Sequence, residues 1–291
     1  MTMKNAFAFA GNLALTWALL QPALYGGGVC RFGVIGDSGT GERPQYEVAE
    51  RLTRMHQANP FGTVVMLGDN IYGSDKPNDM IKKFALPYKA LLDSGVKFYA
   101  TLGNHDSPKQ VAYPPFNMQG QRYYTFKPCE DVRFFALDSN NMDPQQLAWL
   151  EEELSKPGNE WKIAFFHHPL YSSAARHGSD LELRKQLEPL FVKHRVAVAL
   201  SGHDHVYERM KPQHGVEYFV IGNSAKLREG NVLPSSITAK AYDRGEGCAV
   251  MTVEGDVLTF QVVSRTGETV DSGSFPRPAE RDSTRAEPVA K

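Results

Sequence analysis

The chain has 291 residues, 42% of them apolar and 22% charged, which suits one large α/β domain with tails and excludes a disordered or fibrous protein. Lysine and arginine number 32 against 33 acidic residues. No overall field therefore draws the chain to nucleic acid or to an anionic membrane, and an anionic substrate must be captured locally.

The first stretch, 1–28, reads as an export signal or an N-terminal anchor. Residues 6–25 are mostly apolar, Lys4 is the one positive charge ahead of them, and Gly26, Gly27 and Gly28 follow. The charge ahead of the run is small, Gly11 and Asn12 interrupt it and Pro22 breaks a helix near its end, so cleavage is favoured over an uncleaved anchor. Cys30 follows Gly28 and Val29, a poor match to a lipidated-cysteine signal. The expected location is periplasmic or secreted, with no stable membrane partner unless the first segment stays attached.

From 29 to 275 short apolar runs alternate with amphipathic stretches, the pattern of a layered α/β fold. The runs 32–35, 63–67, 97–102, 132–137, 161–166 and 196–200 are short and often β-branched or aromatic, as buried strands are. A helix is expected around Tyr46 to His56. A second starts at the N-cap Asp143 with Pro144 at its first position and carries Leu147, Leu150 and Leu154 on one face. A third runs from Asp180 through Leu183, Leu187, Leu190 and Phe191. Beyond Gly215 the runs 217–221, 248–253 and 257–263, the last two joined by a Gly255-Asp256 turn, predict a β-rich half that completes a second sheet. Residues 276–291 mix proline, charge and small residues and read as a disordered tail. Cys30, Cys129 and Cys248 form no zinc motif. They read as buried apolar thiols or, in an exported protein, as one disulfide with a thiol left over.

Five polar motifs each follow directly on an apolar run, where open α/β sheets place ligands. They are Gly36-Asp37-Ser38-Gly39, Gly68-Asp69-Asn70-Ile71-Tyr72, Gly103-Asn104-His105-Asp106, His167-His168-Pro169 and Gly202-His203-Asp204-His205. Four open with glycine, which permits a positive φ and close approach to an ion. Alone, Asp37 would be a loop residue and His167 a satisfied half-buried histidine. Together, oxygen and imidazole donors converging from successive strand ends suit iron, zinc or manganese.

These motifs resemble the calcineurin-like metallophosphoesterases, and Gly39 with Tyr72 resembles in particular the purple acid phosphatases of the small, tartrate-resistant type. The resemblance covers about residues 30–265 and is weakest after Gly222. It implies a four-layer αββα sandwich, two mixed β-sheets flanked by helices, with a dinuclear metal site at the strand C-terminal ends. It assigns Asp37, Asp69, Tyr72 and His205 to a ferric ion, with Asp69 bridging to a divalent iron, zinc or manganese held by Asn104, His167 and His203. Hard phenolate and carboxylate donors suit the trivalent ion, whereas an amide oxygen and two imidazoles suit the divalent one. His105, its tautomer fixed by Asp106, and His177 become the catalytic groups that orient the phosphate or protonate the leaving alcohol. Arg176 adds positive charge at the mouth and favours more anionic esters. His168, Asp204 and Tyr207 are expected to support neighbours or pack.

The implied reaction is hydrolysis of small phosphomonoesters by a metal-bound hydroxide, without a phosphoenzyme, at acidic pH. A phosphodiesterase or nucleotidase of the same superfamily is the rival enzyme reading. A non-catalytic metal- or phosphate-binding protein is the rival from another class.

Overall fold

The computed structural model describes residues 28–156 and 158–278; the expected export segment, apart from Gly28, and the tail from 279 lie outside them. The expected two-sheet sandwich is what the chain forms. One sheet holds β1 (Val29–Ile35), β2 (Thr63–Met66) and β3 (Lys97–Ala100) as parallel neighbours. Across β1, the antiparallel β11 (Gly247–Glu254), β12 (Val257–Ser264) and β13 (Thr269–Pro276) extend it, so the runs 248–253 and 257–263 enlarge the first sheet instead of completing the second as expected. The second sheet has β5 (Val132–Ala136), β6 (Trp161–Phe165), β7 (Val198–Ser201) and β9 (Glu217–Ile221) in parallel. Antiparallel β4 (Tyr124–Cys129) closes one edge, and β8 (Tyr207–Met210) with β10 (Thr238–Tyr242) closes the other.

The two-residue period of a strand sorts side chains between layers. Phe134, Ile163 and Phe165 join Phe32, Phe98 and Phe219 in the core between the sheets, whereas Phe135, Ala164 and Phe166 belong to the outer core. That outer core meets helices at Leu150, Leu154, Leu183, Leu187 and Phe191. On the first sheet's far side α1 (Arg43–Ala58) buries Val48, Ala49 and Leu52. Between β2 and β3 lie α2 (Pro77–Met80), a π turn (Ile81–Ala85) and α3 (Lys89–Asp93). The helices over the second sheet are α4 (Pro144–Ser155) and α5 (Leu181–Lys193). Both start as their sequence predicts. Asp143 Oδ1 accepts from Gln146 N at 2.8 Å and Asp180 Oδ1 from Leu183 N at 2.9 Å.

Cys30 and Cys129 are joined, and Cys248 is free and buried. The bond ties the start of β1 to the end of β4, so the sheets are linked at the pole opposite the C-terminal ends of the parallel strands. At the far end of the chain, β13 carries order through Pro276, and Arg277 N donates to Asp256 O at 2.9 Å.

Candidate metal centre

All five motifs meet at the C-terminal ends of β1, β2, β3, β6 and β7, so the site straddles both sheets. Cross-sheet bonds set its shape. His203 N donates to Asp37 Oδ2 at 2.8 Å, and Gly36 N donates to Ser224 Oγ at 3.1 Å. Asp37, Asp69 and His203 have φ of 53°, 51° and 69°, a conformation that costs a non-glycine residue on the order of 1–3 kcal/mol and gathers at functional sites. The glycines do something other than expected. Of the four that open motifs, Gly68 alone has positive φ; at Gly36, Gly103 and Gly202 a Cβ would strike Ile221 O, Asp69 and Asp37 Oδ2. Close packing is their reason. A Cβ at Gly39 would likewise overlap the Asn70 carbonyl, so no histidine could stand there without moving the Tyr72 loop.

The candidate ligands fall into two groups. In one, Tyr72 Oη donates to Asp37 Oδ1 at 3.0 Å and lies 3.2 Å from His205 Nε2, itself 3.3 Å from Asp37 Oδ1. Asp37, Asp69 and His205 each bring one ligand atom within 4.8 Å of the others. In the second group, His167 Nε2 and His203 Nδ1 each lie 3.0 Å from Asn104 Oδ1 and 3.2 Å from one another. Asp69 reaches both groups, because its Oδ1 is also 3.4 Å from His167 Nε2.

The second group fits a cation on its own chemistry. His167 Nδ1 faces the Leu67 carbonyl at 2.9 Å; a carbonyl only accepts, so the ring proton sits on Nδ1 and Nε2 is a bare lone pair. That lone pair confronts an amide oxygen and a carboxylate oxygen. Lone pairs turned on one another repel, and a cation between them converts repulsion into coordination. Burial, then the His168 charge, lowers the His167 pKa well below the imidazole range. Burial and then His167 bring His203 to about 2, and burial and then Arg228 bring His205 to about 4. The imidazoles are thus kept neutral, as ligands must be. In the first group, burial and then Asp69 push the Asp37 carboxyl upward, and burial and then Asp37 push the Tyr72 phenol upward. A bound cation reverses both.

His105 and His177 flank these groups. The His105 ring is 5.1 Å from that of Tyr72, and the His177 ring is 4.3 Å from that of His203. Both are exposed. Asp106 does not fix the His105 tautomer as the sequence suggested. Its carboxylate instead accepts from Gly103 N, Asn70 N, Asn70 Nδ2 and Ile71 N at 2.8–3.0 Å, tying the loop after β2 to the loop after β3.

His168 and Asp204 support their neighbours as expected, whereas the contributions of Ser139, Glu208, Lys226 and Arg228 were not foreseen in the sequence. His168 lies beside the centre, its ring 4.4 Å from that of His203. Ser139 Oγ accepts from His167 N and His168 N, so its own proton goes to His168 Nδ1 at 2.9 Å. His168 Nδ1 is then an acceptor, so the single ring proton sits on Nε2, which is a donor and not a ligand. Asp204 and Glu208 anchor the loop bearing His177: Asp204 Oδ2 accepts from Ser172 Oγ at 2.6 Å, and Glu208 Oε2 from Ser173 N at 2.8 Å. Lys226 and Arg228 also border the site, with Lys226 Nζ 4.9 Å from the Tyr72 ring centroid. Those four contributions depend on contacts distant in sequence.

Residues 30–207 match the family model for calcineurin-like phosphoesterase. The chain belongs to that family. Phosphoester hydrolases define it, and two bound metal ions are its usual equipment. Among curated relatives, purple acid phosphatase 5 of Arabidopsis thaliana is 29% identical over 227 residues, covering 75% of this chain and 54% of that protein; the chain thus spans about half the length of this plant relative. Tartrate-resistant acid phosphatase type 5 of Homo sapiens is 25% identical, over 92% of this chain and 98% of its own. Both relatives are acid phosphatases by name. The purple acid phosphatase PPD1 from yellow lupin (Lupinus luteus) seeds shares the fold, with TM-score 0.75 at 19% identity, covering 90% of this chain and 57% of that one.

Proposed function

We propose that the protein is an exported acid phosphatase that hydrolyses phosphate monoesters at a pair of cations, ferric iron and a divalent iron, zinc or manganese. The observation that carries this reading is the two groups of lone-pair donors sharing Asp69, one with a phenol, the other with two neutral imidazoles. Asp37, Asp69, Tyr72 and His205 would hold the ferric ion; Asn104, His167 and His203 would join Asp69 at the divalent one. When bound, the pair supplies positive charge to phosphoryl oxygens and lowers the pKa of water.

The chain's own groups do the rest. His105 and His177 stand on the open side, where an ester oxygen would leave, and either can pass it a proton. His168 Nε2–H adds a hydrogen-bond donor beside them. Partial burial and then the Arg228 and Arg176 charges lower the His177 pKa, so its acid form gains population only as pH falls below the ordinary imidazole range. Activity therefore rises on going from neutral to mildly acidic pH. Export is supported by the Cys30–Cys129 disulfide, which persists in oxidising compartments. Among the described residues no helix is long and apolar enough to cross a membrane.

The test is metal analysis and a visible spectrum of the purified protein, with turnover of 4-nitrophenyl phosphate and of bis(4-nitrophenyl) phosphate. Two metals per chain, a charge-transfer band that Tyr72→Phe bleaches, and faster turnover of the monoester are expected. Faster turnover of the diester would establish the phosphodiesterase reading instead, and a metal-loaded protein with no turnover would leave a binding protein.

A further inference from the structure

We propose that Arg176, Lys226 and Arg228 form an anion subsite beside the metal centre that takes a second phosphoryl group, so that substrates with two linked phosphates are preferred to simple monoesters. This rests on the metal-centre reading above. The three residues come from two loops that are zipped together. Ala175 N donates to Asn231 O at 2.7 Å and Leu233 N to Ser173 O at 2.9 Å, around an isolated bridge between Ala174 and Val232. One of these loops carries His177, whose ring lies against that of His203. The other is fixed to the centre through Arg228 N, which donates to His205 O at 3.0 Å.

What singles the cluster out is the lack of an ion pair at any of its three members. None of the three has a carboxylate partner within salt-bridge distance among the described residues, although carboxylates are close in sequence and space. Glu208 is taken up by Ser173 and Thr238, and Asp204 accepts from Ser172 Oγ through Oδ2, which leaves its buried Oδ1 as a counter-charge close to Arg228. Glu229, next to Arg228, is exposed and forms no ion pair. Arg228 Nη1 is buried with no hydrogen-bond partner, an arrangement that is costly unless a ligand satisfies it.

Charge balance indicates what the ligand carries. A trivalent and a divalent cation, set against Asp37, Asp69 and a Tyr72 phenolate, leave a net charge that one phosphate dianion offsets. Three further cations exceed the need of a single phosphate. A second phosphoryl group linked to the first would reach them while the first stays at the metals. Guanidinium groups suit it, since they meet phosphate oxygens with paired N–H donors.

The experiment is titration calorimetry of the metal-loaded full chain with methylenediphosphonate and with methylphosphonate. It is run on wild type, on Arg176→Gln/Lys226→Gln/Arg228→Gln and on the three single variants, with turnover of 4-nitrophenyl phosphate measured in parallel. The wild type should prefer the diphosphonate, and the triple variant should lose about tenfold or more of that preference, as expected for removing charge-assisted hydrogen bonds. A preference unchanged in the triple variant would overturn the subsite, because the ions alone would then account for it. If the triple variant fails to load metal, each single variant is read in the same way, and three unchanged preferences overturn the proposal. Wild-type protein that shows the preference but turns over no ester would sink the phosphatase reading while sustaining the subsite.

Discussion

His203 and His205 titrate near 2 and 4 because burial, neighbouring imidazoles and Arg228 disfavour their charged forms; an unperturbed histidine titrates near 6.5. Cation uptake displaces protons only from groups that carry them at the working pH. At neutrality the phenol of Tyr72, whose pKa is raised, is such a group. Between the ordinary imidazole pKa and about 4, His203 and His205 remain neutral, so acid adds no competing protons to them there. Calorimetry of metal binding to metal-free protein, in buffers of different ionisation enthalpy, should find the same number of released protons at pH 7.5 and at pH 5.5. One additional proton per histidine at the lower pH would show that these imidazoles titrate normally. The residues themselves were legible because each stands in a short motif at the end of an apolar run. The Ser139 hydroxyl that sets the His168 tautomer and the unpaired Arg228 were not. Their roles come from partners many positions away, Ser139 being 29 residues from His168.

Strands β1, β2, β3, β5, β6, β7, β9, β11 and β12 fall on apolar runs visible in the sequence. β4, β8, β10 and β13 do not. Three of these four are sheet edges and the fourth adjoins one, so they bury too little to require continuous apolar residues. β8 conceals itself further, since its Glu208 is fully buried yet satisfied by Ser173 and Thr238. The loops between strands obey another economy, in which one carboxylate holds two of them. Asp106→Asn would set an amide donor against N–H groups that now share two acceptor oxygens, and should destabilise the protein by about 2–3 kcal/mol in urea unfolding. Full stability with a shifted pH–rate profile would instead return Asp106 to the role of orienting His105.

At the scale of the whole molecule, the two sheets are joined covalently at one pole, between Cys30 and Cys129, across 99 positions of sequence. The sequence left the pairing open because spacing alone cannot say which thiols meet, and it left Cys248 undecided. Full burial pushes that thiol up to about 12, which makes it inert. A closed loop of this length removes much freedom from the unfolded chain, so Cys30→Ser/Cys129→Ser should lower unfolding free energy by about 3–5 kcal/mol. A loss under about 1 kcal/mol would mean that the bond only accompanies packing.

Asp37, Asp69, Tyr72 and Asn104 all follow strands of one sheet, and His167, His203 and His205 all follow strands of the other. Along the chain this means that every oxygen donor precedes every nitrogen donor. Until His167 is made, the emerging chain carries only the oxygen donors of the proposed site. Full coordination waits for the second half to arrive and dock. At the proposed site, the order of synthesis would delay metallation until the layers have closed on each other.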